Sequence, residues 1–519
     1  MAGWVCDVCL VPNDEDVAAC CCCTTPRPAG AHPTPSKVES QETVPATESV
    51  GNAPPEVKDH NEDVKRIRHS FTSPDPPLSC VMVVGSSEVD QLPRSICDSR
   101  LEPGSKDPVP MYECSLPTPV TDGLRGSLVG VSCGSLHTAI LTRTGHVYTF
   151  GCNDLGALGR SEQDSEKAKL AECDPCIVRL RSPVSRVSCG DNHTLFLTQG
   201  GAVFFTGAFR DTTGNIGIAD FDELEQLTNA THFKTPVAVP CTSPGAGIIK
   251  DICSGENHCL LLPTDGSGIY VFGSNEFGQL MLPSEYSVTT PTEEAPDLSS
   301  EETMKLALTW PQFLKLDDLG LMKRHEGGEA KRRKHGDDFV RRIFAGYCTS
   351  FFESGVSGRI YGSGRNAQGE LGTGGDELQV SRPTELRGLR GLRISKIVGG
   401  QFFTVALTAG GNLYSWGNRS YTGNGGDDDY ATQRTPAKIT FFNGNVDEVF
   451  VGADTTFAIN TRGHLYSWGS GQNYVLGNGK DCSFQKTPVV VQKSLFHGYS
   501  VVGGMGGSQH TVFLCHRNK

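Results

Sequence analysis

The chain has 519 residues and a formal net charge of −13, with 46 Lys and Arg against 59 Asp and Glu. That sign excludes a protein held to nucleic acid along its whole length. No apolar run approaches the ~18 residues of a membrane-crossing helix, and the opening MAGWVCDVCL lacks the basic flank and apolar core of a secretory signal. A reducing compartment follows, so the 20 cysteines are expected as metal ligands or small core residues rather than disulfides.

Six of those cysteines fall in the first 23 residues. Cys6 and Cys9 form one C-x2-C pair, and Cys20 and Cys23 form a second one ten residues on. Such pairs turn tightly enough for four thiolates to meet one Zn2+ at about 2.3 Å. A segment this short has no core of its own, so the zinc ion would supply its folding free energy. Cys21 or Cys22 could replace one ligand. With Trp4 and Asn13, the pattern W-x-C-x2-C-x3-N-x6-C-x2-C is complete. It resembles the Ran-binding-protein (nucleoporin) type of zinc finger. In that family the dipeptide after the second cysteine sorts partners, and Leu10 and Val11 here imply the small GTPase Ran, with Asn13 beside them. The finger is assigned to residues 1–30.

Residues 31–78 are rich in Pro, Ser, Thr, Glu and Asp and poor in large apolar side chains, which predicts a disordered linker. It contains one basic run, VKRIRH at 64–69.

From residue 79 onward one unit repeats seven times. A short apolar strand ends in a glycine turn, a second strand follows, and a third strand closes on glycine. The third strands read VMVVG, VYTFG, VFFTG, IYVFG, IYGSG, LYSWG and LYSWG, ending at Gly85, Gly151, Gly207, Gly273, Gly364, Gly417 and Gly469. Turn signals between strands, at a period holding four strands, predict an all-β, seven-bladed propeller over residues 79–519. The first copy lacks its opening half, and a surplus half-unit around His510 ends the chain. The two halves are expected to complete one blade, leaving no free sheet edge. Residues 282–341 stretch one spacing and are assigned as an insertion.

These repeats look like the regulator-of-chromosome-condensation family. GCNDLGALG at 151–159 resembles its founding member, the exchange factor for Ran, as does AFRDTTGNIG at 208–217, which replaces the usual turn. The resemblance implies a β-wedge in the second stretch, with Phe209, Arg210, Asp211, Gly214 and Ile216, that pushes into the GTPase. Asp191, Asp220, Glu256, Asn257, His258 and His510 are the further implied GTPase contacts. His137 and His193 share the repeated position of the last two, and recurrence in several blades points to scaffold hydrogen bonding for His137. Two departures stand out: Asn257 replaces an acidic residue of the family, with Glu256 beside it, and Phe402 and Phe403 replace a histidine pair. Clustered tryptophans, as in the plant UV-B photoreceptor, are missing.

Within 282–341, six residues separate Lys323 and Arg324 from Lys331, Arg332, Arg333 and Lys334. This bipartite spacing predicts nuclear import, and the resemblance implies contact with chromatin as the second use, since the family's corresponding insertion approaches the nucleosome's acidic surface. No P-loop or nucleophile elbow is present, so bond-making catalysis is not expected. The sequence therefore points to a nuclear, non-enzymatic guanine nucleotide exchange factor for Ran. Its expected partners are Ran, nucleosomes and import receptors, with no membrane. The alternative is a nuclear adaptor, in which the propeller is a binding platform and the finger takes Ran-GDP, RNA or ubiquitin.

Overall fold

Each repeat folds as a four-stranded antiparallel sheet. In the computed structural model the backbone and side chains of residues 79–88, 91–96, 113–121, 123–160, 172–210, 232–241, 248–282, 311–321, 338–426, 431–480 and 484–518 are described. For residues 3–5, 12–14, 100–101, 108–109, 211, 214–216 and 482–483 only the backbone is described. Two compact units result, Met1–Pro77 and Leu78–Lys519. In the first, Gly3–Val5 pairs antiparallel with Pro12–Asp14, which sets Trp4 opposite Asn13. Cys6, Cys9, Cys20, Cys23, Leu10 and Val11 lie outside the described residues.

The second unit is the seven-bladed propeller: seven four-stranded sheets are present among the described residues. We number blades 1 to 6 by their first strands, which begin at Leu128, Val184, Ile249, Val340, Ile394 and Val446. Blade 7 is composite. Its order is Tyr499–Gly506, His510–Arg517, Ser79–Ser86, Glu113–Pro119, so both ends of the chain share one sheet. This is the closure that the half-units at the two ends predict.

Second strands explain the apolar runs of the repeat. HTLFLT in blade 2 and FTVALT in blade 5 are buried at every position rather than at alternate ones. A blade stacked between two others has both faces covered, so period-two alternation disappears. The closing glycines are steric necessities. At Gly207, φ is +95°, and a Cβ would lie 2.1 Å from the Asn192 carbonyl oxygen. Both LYSWG tryptophans are fully buried, and their indole N–H groups donate to backbone carbonyls, Trp416 to Glu370 and Trp468 to Tyr421.

The assigned insertion at 282–341 needs correction. Gln312–Lys315 within it pairs with Gly268–Gly273 as the fourth strand of blade 3. Two separate segments remain. The segment after Leu282 leaves from the end of a third strand. The segment between Leu321 and Asp338 leaves from the opposite end of the blade, where Gly355 donates to Phe339 and Val340 to Gly266. Lys323, Arg324, Lys331, Arg332, Arg333 and Lys334 belong to that second segment and lie outside the described residues.

Candidate functional site

One face of the ring collects the turns between first and second strands and the exits of third strands, because His193 lies directly opposite Gly207 in the ladder. On this face blade 2 carries an extra hairpin, Phe209–Asp211 paired with Gly214–Ile216. Its root is apolar. Phe209 is fully buried, with ring centroids 4.7 Å from His193, 5.1 Å from Phe205 and 5.7 Å from Phe272. The next residue, Arg210, is exposed. Its backbone N–H donates to Asn257 Oδ1 at 2.7 Å, tying the hairpin to a loop of blade 3. Phe209 thus anchors the hairpin and is withdrawn from its surface.

Beside the hairpin is the mouth of the central axis, a cavity of about 90 Å3 lined by residues of all seven blades. Backbone hydrogen bonds run around it from blade to blade: Ser135 to Asp191, Asp191 to Glu256, Glu256 to Tyr347, Gln401 to Ala453, Ala453 to Gly507, and Ser508 to Ser135. Between blades 4 and 5 a side chain takes over, as the Arg365 guanidinium donates to the Gln401 carbonyl. Arg365 also pairs with Glu370 at 2.7 Å and has the Phe277 and Phe402 rings each 5.6 Å away. Phe402 therefore belongs to an arginine clamp on this face, while Phe403 is buried and stacks on Tyr421.

Asp191 and Glu256 are half-buried at this mouth. Burial pushes both carboxyls above their usual range. Hydrogen bonds from Ser135 and Asn192, and the charge of Arg210, partly offset that push at Asp191. At Glu256 the Cys348 thiol donates to Oε2 at 3.1 Å and Tyr347 adds a bond, while the Asp191 charge pushes further upward. The face thus presents carboxylates held in a poorly hydrated setting, where pairing with a partner's cation regains more than at an open surface.

Of the residues singled out from sequence, Asp191, Glu256, Asn257, Phe209 and Arg210 come together here. Two require correction. His258 and His510 are fully buried and cannot touch a partner. Their Nε2 atoms lie 2.9 Å from Ser350 Oγ and 3.0 Å from Thr138 Oγ1, each in the next blade. His137 and His193 bridge to Thr194 and Cys259 in the same way. All four are inter-blade struts. Asn257 is also buried, and its Oδ1 accepts from the hairpin rather than facing outward. Asp220 lies outside the described residues, and for Asp211, Gly214 and Ile216 only backbone pairing is described. The sequence reading passed over Tyr347 and Arg365. Tyr347 could have been found by register, since it follows its loop glycine as Asp191 and Glu256 follow theirs. Among the described residues no three His, Cys, Asp or Glu side chains group as metal ligands, and no helix is long and apolar enough to cross a membrane.

A propeller closed by its own termini, with a hairpin planted beside an acidic axial mouth, is a ring-shaped scaffold that offers one specialised face. Known proteins of this form narrow the class. The RCC1-like domain family matches residues 80–513, and the chain belongs to that family. It is 31% identical over 396 residues to the regulator of chromosome condensation of Xenopus laevis, covering 75% of this chain and 82% of that protein. The human regulator of chromosome condensation is 31% identical over 391 residues, again covering 75% and 82%. Among solved structures, Prp20p from Saccharomyces cerevisiae, described with its binding to Gsp1p and histones, has the same fold. Its TM-score is 0.66 at 19% identity, covering 87% of this chain and 94% of that one.

Proposed function

We propose that this protein is a guanine nucleotide exchange factor for the small GTPase Ran, acting without bond chemistry. The observation that carries the reading is the anchored hairpin: Phe209 packs its root, Asn257 ties its first strand, and Asp191 and Glu256 flank it. An exchange factor must make the nucleotide-free GTPase less unfavourable by loosening Mg2+ and phosphate contacts. A rigid hairpin can displace the phosphate-binding loop. A carboxylate, Asp211 at the hairpin tip or Asp191 at its side, would pair with the phosphate-binding lysine and compete with the phosphates. The net charge of −13 favours association with a basic partner surface. Asn257 supplies the same acceptor oxygen to Arg210 as an aspartate would, so the departure there leaves the wedge tied down.

In the same reading, residues 1–30 form a zinc finger. The paired strands bracket the segment that carries Cys6 and Cys9, and with Cys20 and Cys23 these would hold one structural Zn2+. Leu10, Val11 and Asn13 would then bind Ran and raise its concentration near the propeller through the linker. The basic clusters at 323–334 would serve import receptors or chromatin, in keeping with a protein that works in the nucleus.

Release of fluorescent GDP from purified Ran tests the proposal, with and without this protein and beside an Asp191→Ala/Asp211→Ala variant. Strong acceleration that the variant loses supports exchange on this face. Binding of Ran without acceleration would leave an adaptor instead.

A further inference from the structure

We propose that Cys80 and Cys515 are the site of a reversible disulfide that locks the propeller ring shut. The inference is independent of any GTPase. Cys80 lies in the strand Ser79–Ser86 that opens the propeller, and Cys515 in the strand His510–Arg517 that ends it. The two are directly opposite in the ladder that joins these strands. Among the described residues no other two cysteines share a ladder position. Cys133 and Cys189, for example, pair with Thr138 and Thr194. Both Cys80 and Cys515 are free thiols.

Residues opposite each other in an antiparallel ladder point to the same side of the sheet. Ser86 donates to the Gln509 carbonyl at 2.8 Å, and counting the alternation back from that pair makes Cys80 and Cys515 a hydrogen-bonded pair. Such pairs have Cα atoms about 5.5 Å apart, inside the range of about 4.4–6.8 Å that a disulfide spans. Their Cβ atoms stand wider than the ~3.8 Å of a relaxed bridge. Closing it therefore tightens the sheet locally, and a strained bridge is one that thiols readily reduce again.

In the closed ring both thiols are withdrawn: Cys80 is 3% exposed and Cys515 0%. Burial and the neighbouring Cys80 thiol hold the Cys515 thiol well above its ordinary range. Reaction therefore requires fraying, and the pair sits one position from the end of the ladder between the two strands. Cys80 is the second residue of its strand, and only the exposed His516 and Arg517 follow Cys515 in its own. Opening two ladder positions, Ser79–His516 and Cys80–Cys515, would part the two strands at the sulfurs. The oxidant is a small-molecule disulfide such as oxidised glutathione. One protein thiolate attacks it, forms a mixed disulfide and releases one glutathione. The second protein thiolate displaces the other glutathione. One S–S bond breaks and one forms, two electrons pass from protein to glutathione, and the two protons end on the released thiols.

The test uses the intact chain, equilibrated over a series of reduced-to-oxidised glutathione ratios and then alkylated. Peptide mapping follows the Cys80–Cys515 linked pair, and thermal unfolding is recorded before and after dithiothreitol. The expected result is a linked pair, lighter by two hydrogens, that fills before any other propeller cysteine. An unfolding midpoint raised by several degrees should accompany it and return with dithiothreitol. Cys80→Ser and Cys515→Ser should each remove that rise. Recovery of the two cysteines separately alkylated or as glutathione adducts at every ratio overturns the proposal. So does a linked pair that leaves the midpoint unchanged. Should either variant fail to fold, the map and midpoint of the unmutated chain decide alone.

Discussion

The backbone N–H of Arg210 donates to Asn257 Oδ1 at 2.7 Å, so a loop of blade 3 holds the first strand of the hairpin that grows from blade 2. What matters at position 257 is an acceptor oxygen. Asn257→Asp should keep the hairpin in place and leave GDP release within about twofold of the parent. Asn257→Ala removes the acceptor, at a cost of about 1–2 kcal/mol, and should slow release about tenfold or more. Faster hydrogen exchange at the Arg210 amide in the alanine variant alone would show that the loss is one of position.

Four imidazoles make the ring sensitive to acid. Burial depresses His137 to about 3 and His258 and His510 to about 4, and holds His193 well below its ordinary value. The folded state then binds fewer protons than the unfolded one at any pH between about 6.5 and about 4. Stability is fully present above about 6.5 and falls as pH drops through that window, by about 1.4 kcal/mol per pH unit for each imidazole. The raised carboxyls of Asp191, Asp251, Glu256 and Asp454 act in the opposite sense. Four imidazoles with larger displacements set the net sign. Urea unfolding between pH 7 and 4.5 should show free energies that fall with pH. A flat or rising profile contradicts neutral buried struts.

Asp454 offers the converse case. Burial alone lifts its carboxyl to about 6, and its Oδ1 has no hydrogen-bond partner. A raised carboxyl favours the protonated fold, so its penalty is complete above about 6 and disappears below about 4. Asp454→Asn should stabilise the propeller by roughly 2 kcal/mol at pH 7, and by almost nothing at pH 4. Paired unfolding curves at the two pH values check this.

At Arg365 the charge alone is not enough. The guanidinium pairs with Glu370, donates to the Gln401 carbonyl and lies between two phenylalanine rings. Lysine cannot serve all of these directions at once. Arg365→Lys should lower the unfolding midpoint nearly as far as Arg365→Met, and guanidine melts of the three proteins compare them directly.

Much of the ring could be read from the chain, because a repeat exposes its own grammar. The seven third strands closed by glycine gave the blade count, and the unmatched halves at Gly85 and His510 gave the closing blade. Gln312–Lys315 was hidden because a fourth strand contributes four residues with no glycine signature, between two long segments. His258 and His510 misled for a different reason. Their resemblance to face residues of the exchange factor makes them look available to a partner, yet each ring folds under its own loop toward the next blade, and only coordinates show that direction. Phe209 lies on the paired hairpin, but its part there as anchor depends on Phe205 in the same blade and Phe272 in the next, which no spacing in the sequence brings together.

The circle of main-chain bonds around the axis carries one further implication. Six of its links use only amide and carbonyl groups, and evolution can vary the side chains there without touching them. The seventh, between blades 4 and 5, depends on the identity of residue 365. A single codon change away from arginine opens the circle of axial bonds at that one seam.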